Sequence, residues 1–340
     1  MYTEEEINLI MLSLSGGSGR GVSVPDLQKA SDNLIKTHRH GVYNKVKRAD
    51  ALKMLEEKGI ECVTRLSPAY PETLANIDSP PAVLYCKGDT GLLKSDCFSV
   101  VGSRRTLPKA LAECAKIAGE LSKVFTVVSG LADGADASAL EGALEAGGKV
   151  ISVLAGGFDY IYPQCNKQLF ESVAKRGLAV SEYPPDTQPR PYYFPVRNRI
   201  IAGLSKGVLV VSAGEKSGAL ITADYAAEYG RDVYAFPYSA GIASGKGCNA
   251  LIKKGAYLTE NILDIFEGLG LDFNTPAEKT LNLNENERAV LEIIRSEGEA
   301  FLPAVAQKLG KPHYEIIPAV TALQIKKLII NLGGNRYSAV

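Results

Sequence analysis

The chain has 340 residues, 38 basic against 38 acidic side chains, and a formal charge of zero. That length exceeds one small core and predicts two or three domains, while the balanced charge leaves any electrostatic partner to local clustering. Six cysteines at 62, 86, 97, 114, 165 and 248 have no C-x-x-C spacing, so no zinc or redox motif is expected.

Residues 1–75 read as a small helical domain. EEEINLIMLSLSGGSGRG has apolar residues at helical spacing and ends in glycines, and RADALKMLEEKGI is a second amphipathic helix stopping at Gly59. The start, MYTEEEINLIML, is acidic and lacks the basic region of a secretion signal, and no apolar run reaches the length of a membrane span. Reduced core cysteines at Cys97 and Cys114 and a cytoplasmic location are therefore expected. Pro68, Pro71, Pro80 and Pro81 then mark an irregular connection.

Residues 76–269 alternate strands and helices. CFSVV, FTVV, KVISVL, LAVS, GVLVV and DVYAF read as strands, and KALAECAKIAGELSK, ADASALEGALEAG, NKQLFESVAKRG, VRNRIIAGLS and ALITADYAAEYG as the helices between them. The strands are continuous apolar runs rather than alternating ones. That pattern predicts a doubly wound, mostly parallel α/β sheet covered on both faces, of the Rossmann-like kind. Residues 270–284 read as a polar linker. Residues 285–340 read as three helices and a hairpin turning at Gly333–Gly334, the order of a winged-helix domain.

In open α/β sheets, ligands collect beyond the carboxyl ends of the strands. The segments at those ends are basic and locally free of acids. GSRRTLPK brings Arg104, Arg105 and Lys109; RPYYFPVRNR brings Arg190, Arg197 and Arg199; SGKGCNALIKK brings Lys246, Lys253 and Lys254. One basic rim is the reading that unites them; three unrelated solvated faces is the other. GSRR is expected to open a helix directly after its strand, with Gly102 allowing close approach, Ser103 donating, and free amides seating a phosphate. It is neither G-x-G-x-x-G nor a P-loop, which disfavours a dinucleotide or a nucleoside triphosphate. Ser217 and Gly218 offer a second helix start, for which ordinary capping is an equal reading.

Asp133, Asp136, Glu141 and Glu145 follow one another without a base; a helix cap at Asp136 and solvated glutamates explain them better than acid/base chemistry. The three histidines, His38, His40 and His313, lie away from these segments. In 190–199, three arginines interleave with Tyr192, Tyr193 and Phe194. Cations that hold phosphates beside rings that stack on splayed bases suit single-stranded nucleic acid. Anchoring of the loop on the core is the competing use for at least one tyrosine.

VGSR, SGLADGAD, YPQCN, SEYPP, FPVRNRIIAGLS, SGALITA and GCNALIKKGA occur in that order. Together they closely resemble the DNA-processing protein A family (DprA, also called Smf). The resemblance spans the α/β domain, the segment before it and the winged-helix end. It implies an extended Rossmann domain and a helical N-terminal domain of the SAM or helix-hairpin-helix kind. It also implies a homodimer that protects incoming single-stranded DNA and loads the RecA recombinase during natural transformation, with no catalysis, cofactor or metal. Residues matching the family motifs are Gly102, Ser103, Arg104, Phe194, Arg197, Asn198, Arg199, Ser217, Gly218, Asn249 and Lys253. Five positions depart from the family pattern: Ala135, Leu140, Ser212, Tyr238 and Cys248. The losses of a histidine at 140 and a glutamate at 212 argue further against hidden acid/base chemistry.

Two other functions stay open at this level. One is a phosphoribohydrolase-like enzyme on a related fold, although its P-G-G-x-G-T-x-x-E run is absent. The other is a nucleotide-sensing regulator acting through the winged helix. The third C-terminal helix, PHYEIIPAVTALQIKK, has Pro318 in its middle and Lys326 and Lys327 at its far end. A protein contact or weak DNA contact is expected there rather than base-specific readout.

Overall fold

The computed structural model describes residues 2–14, 45–271, 283–326 and 328–339. His38, His40, Lys327, the glycines after residue 14 and most of the predicted linker lie outside the described residues. The chain divides into two units, 1–271 and 272–340. Among the described residues no helix is long and apolar enough to cross a membrane.

The first unit begins with α1 (Glu4–Leu14), α2 (Lys45–Glu57), β1 (Glu61–Thr64), α3 (Glu72–Ala75) and β2 (Val83–Gly88). It continues through β3 (Cys97–Gly102), α4 (Pro108–Leu121), β4 (Thr126–Ser129), α5 (Ala135–Glu145), β5 (Val150–Leu154), α6 (Lys167–Arg176) and β6 (Leu178–Ser181). It ends with α7 (Tyr193–Leu204), β7 (Gly207–Ser212), α8 (Gly218–Glu228), β8 (Asp232–Ala235), α9 (Lys246–Lys253), β9 (Tyr257–Leu258) and α10 (Ile262–Gly268).

All nine strands form one sheet in the order β1-β2-β6-β5-β4-β3-β7-β8-β9. From β6 to β9 every neighbouring pair is parallel. Every residue of β4, β5, β6 and β7 is buried, as expected where helices cover both faces. The doubly wound, Rossmann-like sheet read from the apolar runs is thus present.

β1 and β2 were not anticipated. β2 runs antiparallel to β6, and β1 antiparallel to β2. ECVT and VLYCKG sit among prolines and turns, and the sheet edge supplies the pairing that their local sequence does not announce. α1 is tied to this edge: the Cys62 amide donates to the Tyr2 hydroxyl at 2.8 Å, and the Tyr85 hydroxyl donates to Ser13 Oγ at 3.0 Å. The described part of 1–75 therefore falls within the same unit as the sheet.

The second unit runs α11 (Glu285–Glu297), β10 (Glu299–Phe301), α12 (Leu302–Leu309), α13 (His313–Ile325), β11 (Ile329–Gly333) and β12 (Arg336–Ala339). Its antiparallel sheet has the order β10-β12-β11, which gives the helix–strand–helix–helix–hairpin order of a winged helix. Val290, Ile294, Leu302, Val305, Ile316 and Leu323 fill its core. Asn284 and Glu287 cap α11 reciprocally in a capping box. The hairpin turns one residue later than expected, between β11 and β12 at Gly334 and Asn335, both at positive φ. The exposed face of α13 carries Tyr314, Ile317 and Ile325, not bases.

Candidate nucleic-acid interface

The chain winds from β3 outward to β6, then returns to lay β7 on the other side of β3. Loops leaving β3 and β7 therefore diverge, and the crevice between them is the topological switch point where such sheets bind ligands. A cavity of about 420 Å3 lies there. Its walls include Gly102, Ser103, Arg104 and Arg105 after β3, Ser217 and Gly218 after β7, and Phe194, Arg197 and Asn198 from α7.

Gly102 is required by close packing: a Cβ there would stand 2.6 Å from Ala135 Cβ and 3.2 Å from the Ser212 amide. Two departures from the family pattern, Ala135 and Ser212, thus sit directly against this glycine. Ser103 then turns the chain, its amide donating to the Ser212 carbonyl at 2.8 Å and its hydroxyl accepting from the Arg105 amide at 3.2 Å. The expected helix start at GSRR is corrected here. α4 begins only at Pro108, because Leu107-Pro108 supplies the extended residue and the N-terminal proline that a helix start favours. The helix N-terminus at the cavity is instead that of α8, where Ser217 Oγ accepts from the Ala219 amide at 3.4 Å.

Arg104 is exposed and has no acidic partner among the described residues. Its guanidinium carbon lies 5.1 Å from the Phe194 ring centroid and 5.9 Å from that of Tyr162. The two rings meet edge to face at 5.7 Å. Such cation–π contacts, worth ~0.5–1 kcal/mol at exposed sites, hold the charge at the cavity mouth without neutralising it.

Arg197 forms the floor rather than the rim. It is 4% exposed, and its guanidinium donates to the Gly130 carbonyl at 2.5 Å, to the Val153 carbonyl, and to Asn198 Oδ1 at 3.2 Å. Its counter-charge is Asp136, 5% exposed. Burial pulls the Arg197 guanidinium down to about 10, with Asp136 opposing the shift; burial likewise raises Asp136, with Arg197 opposing. Asp136 was expected to cap a helix. It lies inside the first turn of α5, whose N-cap is Gly134, and accepts from the Ala132 amide at 3.4 Å. Glu141 and Glu145 do face solvent.

Arg199 is also 4% exposed, and its guanidinium donates to Glu182 Oε1 at 2.5 Å, away from the cavity. The open rim of Arg197 and Arg199 is corrected to a floor and a brace, because each guanidinium finds its partners inside the fold. Asn198 Nδ2 donates to the Gly218 carbonyl at 3.1 Å, joining α7 to the start of α8. Of the tyrosines, Tyr193 anchors on Tyr183 with ring centroids 4.1 Å apart, while Tyr192 is exposed.

The third basic segment does not reach the cavity. Asn249 clamps the loop after β8, its amide group exchanging hydrogen bonds with the Tyr238 backbone at 3.0 and 2.8 Å. Lys253 is exposed near the end of α9, and Lys246 pairs with Glu215 at 3.3 Å. Tyr162, within YPQCN, has no charge or spacing in the sequence that marks it, and only the fold brings it to Arg104 and Phe194. Among the described residues no cluster of three or more His, Cys, Asp or Glu is placed to hold a metal ion.

The family model for DNA recombination-mediator protein A matches residues 61–270. The chain belongs to this family. It is 41% identical over 237 residues to DNA processing protein DprA of Bacillus subtilis, covering 69% of this chain and 79% of the relative. The X-ray structure of DNA processing protein A from Streptococcus pneumoniae superposes with a TM-score of 0.62 at 33% identity, over 80% of this chain and 94% of that one. The Helicobacter pylori DNA processing protein A, whose structure addresses its single-stranded DNA binding mode, gives a TM-score of 0.56 at 31% identity, over 62% and 95%. For this family member, the matched region contains every residue of the switch-point cavity.

Proposed function

We propose that this DprA-family chain binds single-stranded DNA at the switch-point cavity without reading its sequence, and acts as a recombination mediator in the cytoplasm rather than as an enzyme. The observation that carries the reading is Arg104, a free cation held against two aromatic rings at the mouth of a cavity. A phosphate fits against Arg104, the Ser103 turn and the α8 N-terminus, where amide donors and the helix dipole favour an anion. Phe194 and Tyr162 offer faces for bases, each stack being worth ~1–3 kcal/mol. The buried Arg197, balanced by Asp136, forms the floor beneath them. Asp136, the one acid among the cavity walls, is buried and accepts from the Ala132 amide, with Arg197 as its counter-charge.

Two finer parts of the proposal follow from family membership: the chain pairs as a homodimer, and it passes bound DNA to RecA during natural transformation. The relative from Helicobacter pylori supports the strand-binding step.

The test is fluorescence anisotropy with a labelled poly-dT strand and a matched duplex across a salt series. Binding is expected for the single strand, with log affinity falling by ~0.7 per log salt for each phosphate neutralised. Arg104→Ala is expected to weaken binding and flatten that slope by ~0.7, one phosphate's share. Equal affinity for duplex, or a slope that Arg104→Ala leaves unchanged, overturns the assignment. RecA loading is then read as faster RecA assembly on a strand bound by the wild-type chain.

A further inference from the structure

Two more depressions lie in line with the cavity. The first, about 350 Å3, is lined by Arg104, Tyr162, Pro189, Pro191 and Phe194. It shares Arg104 and Phe194 with the cavity. The second, about 530 Å3, shares Tyr162 and Pro189 with the first. Shared side chains thus link the three in series, leading away from the switch point.

The far groove has its own chemistry. Tyr160 and Tyr162 are 43% and 49% exposed, a large apolar area left in water. Lys167 is exposed and Lys87 half-buried, and neither has an acidic partner among the described residues. Gln164 and Gln188 add primary amides, which both donate and accept. Of the two acids, Asp159 is taken by Lys58 at 2.5 Å, so Glu171 alone opposes the two free lysines. Beneath, Phe158 and Phe170 pack 5.9 Å apart as a buried floor. Exposed rings interleaved with unpaired cations on a firm floor suit bases and phosphates of an unpaired strand.

We propose that this far groove is an extension subsite for single-stranded DNA, holding the nucleotides that flank those in the switch-point cavity. Tyr160 stacks on a base and Lys167 holds a phosphate. The inference rests on the proposed function, and it makes the footprint longer than the cavity alone.

The full chain is titrated with dT strands of roughly 4 and roughly 16 nucleotides, the span of site sizes known for single-strand grooves. Tyr160→Ala/Lys167→Ala is expected to weaken the long strand by ~5-fold or more, the lower end of one base–aromatic stack. It is expected to flatten the long strand's salt slope by ~0.7 and to leave the short strand unaffected. Tyr160→Phe keeps the ring and is expected to bind as wild type. Both replaced side chains are exposed, so an unchanged melting temperature accompanies the result. A double variant that binds the long strand like wild type, while Arg104→Ala does not, overturns the extension alone. A wild-type chain that binds neither strand overturns the function and the extension together.

Discussion

Arg199 is the residue on which a contact role and a structural role give opposite results. Replacing it with alanine removes a side chain that is 5% exposed and 2.5 Å from a carboxylate that is itself 9% exposed. Breaking a buried pair by removing one partner leaves an uncompensated charge and costs ~3–5 kcal/mol. Arg199→Ala should therefore lower the unfolding free energy by that much, read as a lower urea midpoint at constant m, and any loss of strand binding should track the loss of folded protein. Arg199→Met with Glu182→Leu removes both charges and should recover most of the stability. Arg104→Ala, at an exposed side chain with two cation–π contacts, should cost at most ~1–2 kcal/mol. Combined urea melts and salt-dependent anisotropy on the three variants separate the roles. An Arg199→Ala protein with a wild-type midpoint and a salt slope reduced by ~0.7 would refute the brace and restore Arg199 to the DNA surface.

Two further outcomes are expected. A Cβ on Gly245 would stand 2.0 Å from Tyr238 Cγ, so Gly245→Ala should cost ~1–3 kcal/mol by overpacking; in Tyr238→Gly the same change should be nearly neutral, and a double-mutant cycle without coupling would contradict the contact. In the second unit, the Lys326 ammonium bonds Glu287 Oε2 at 2.7 Å and holds that carboxyl below the ordinary glutamate range. A depressed acid stabilises the fold above its unfolded value, about 4.3, and that stability is lost as pH falls through the folded value. Glu287→Gln keeps the capping box but loses the ion pair, so amide exchange across 285–339 should quicken by up to ~5-fold, for ~1 kcal/mol, at pH 7, and the difference should vanish at acid pH. A difference that persists in acid would count against the pair.

The parallel core was legible from the residues because a strand covered on both faces has to be apolar at every position, as GVLVVS in β7 is. The positions of GSR and SG beyond β3 and β7 were legible for the related reason that the site of an open α/β sheet follows from strand order. β1 and β2 were not, since a four-residue edge strand such as ECVT depends on a neighbour to pair with. Tyr162 and Tyr160 were also out of reach, because what sets them apart is exposure and, for Tyr162, its place beside Arg104, a residue from another part of the chain.

The sequence by itself determined the family, the winding of the sheet and the end of it that carries the site, because apolar periodicity and local motifs encode those directly. The tertiary structure alone decided what each arginine of RPYYFPVRNR does. A guanidinium is free or spent according to which carboxylates and carbonyls surround it. Asp136, Gly130 and Val153 close over Arg197 and Glu182 takes Arg199, while Arg190 stays exposed and Arg104, from a different loop, lies against two rings with its charge available to a strand.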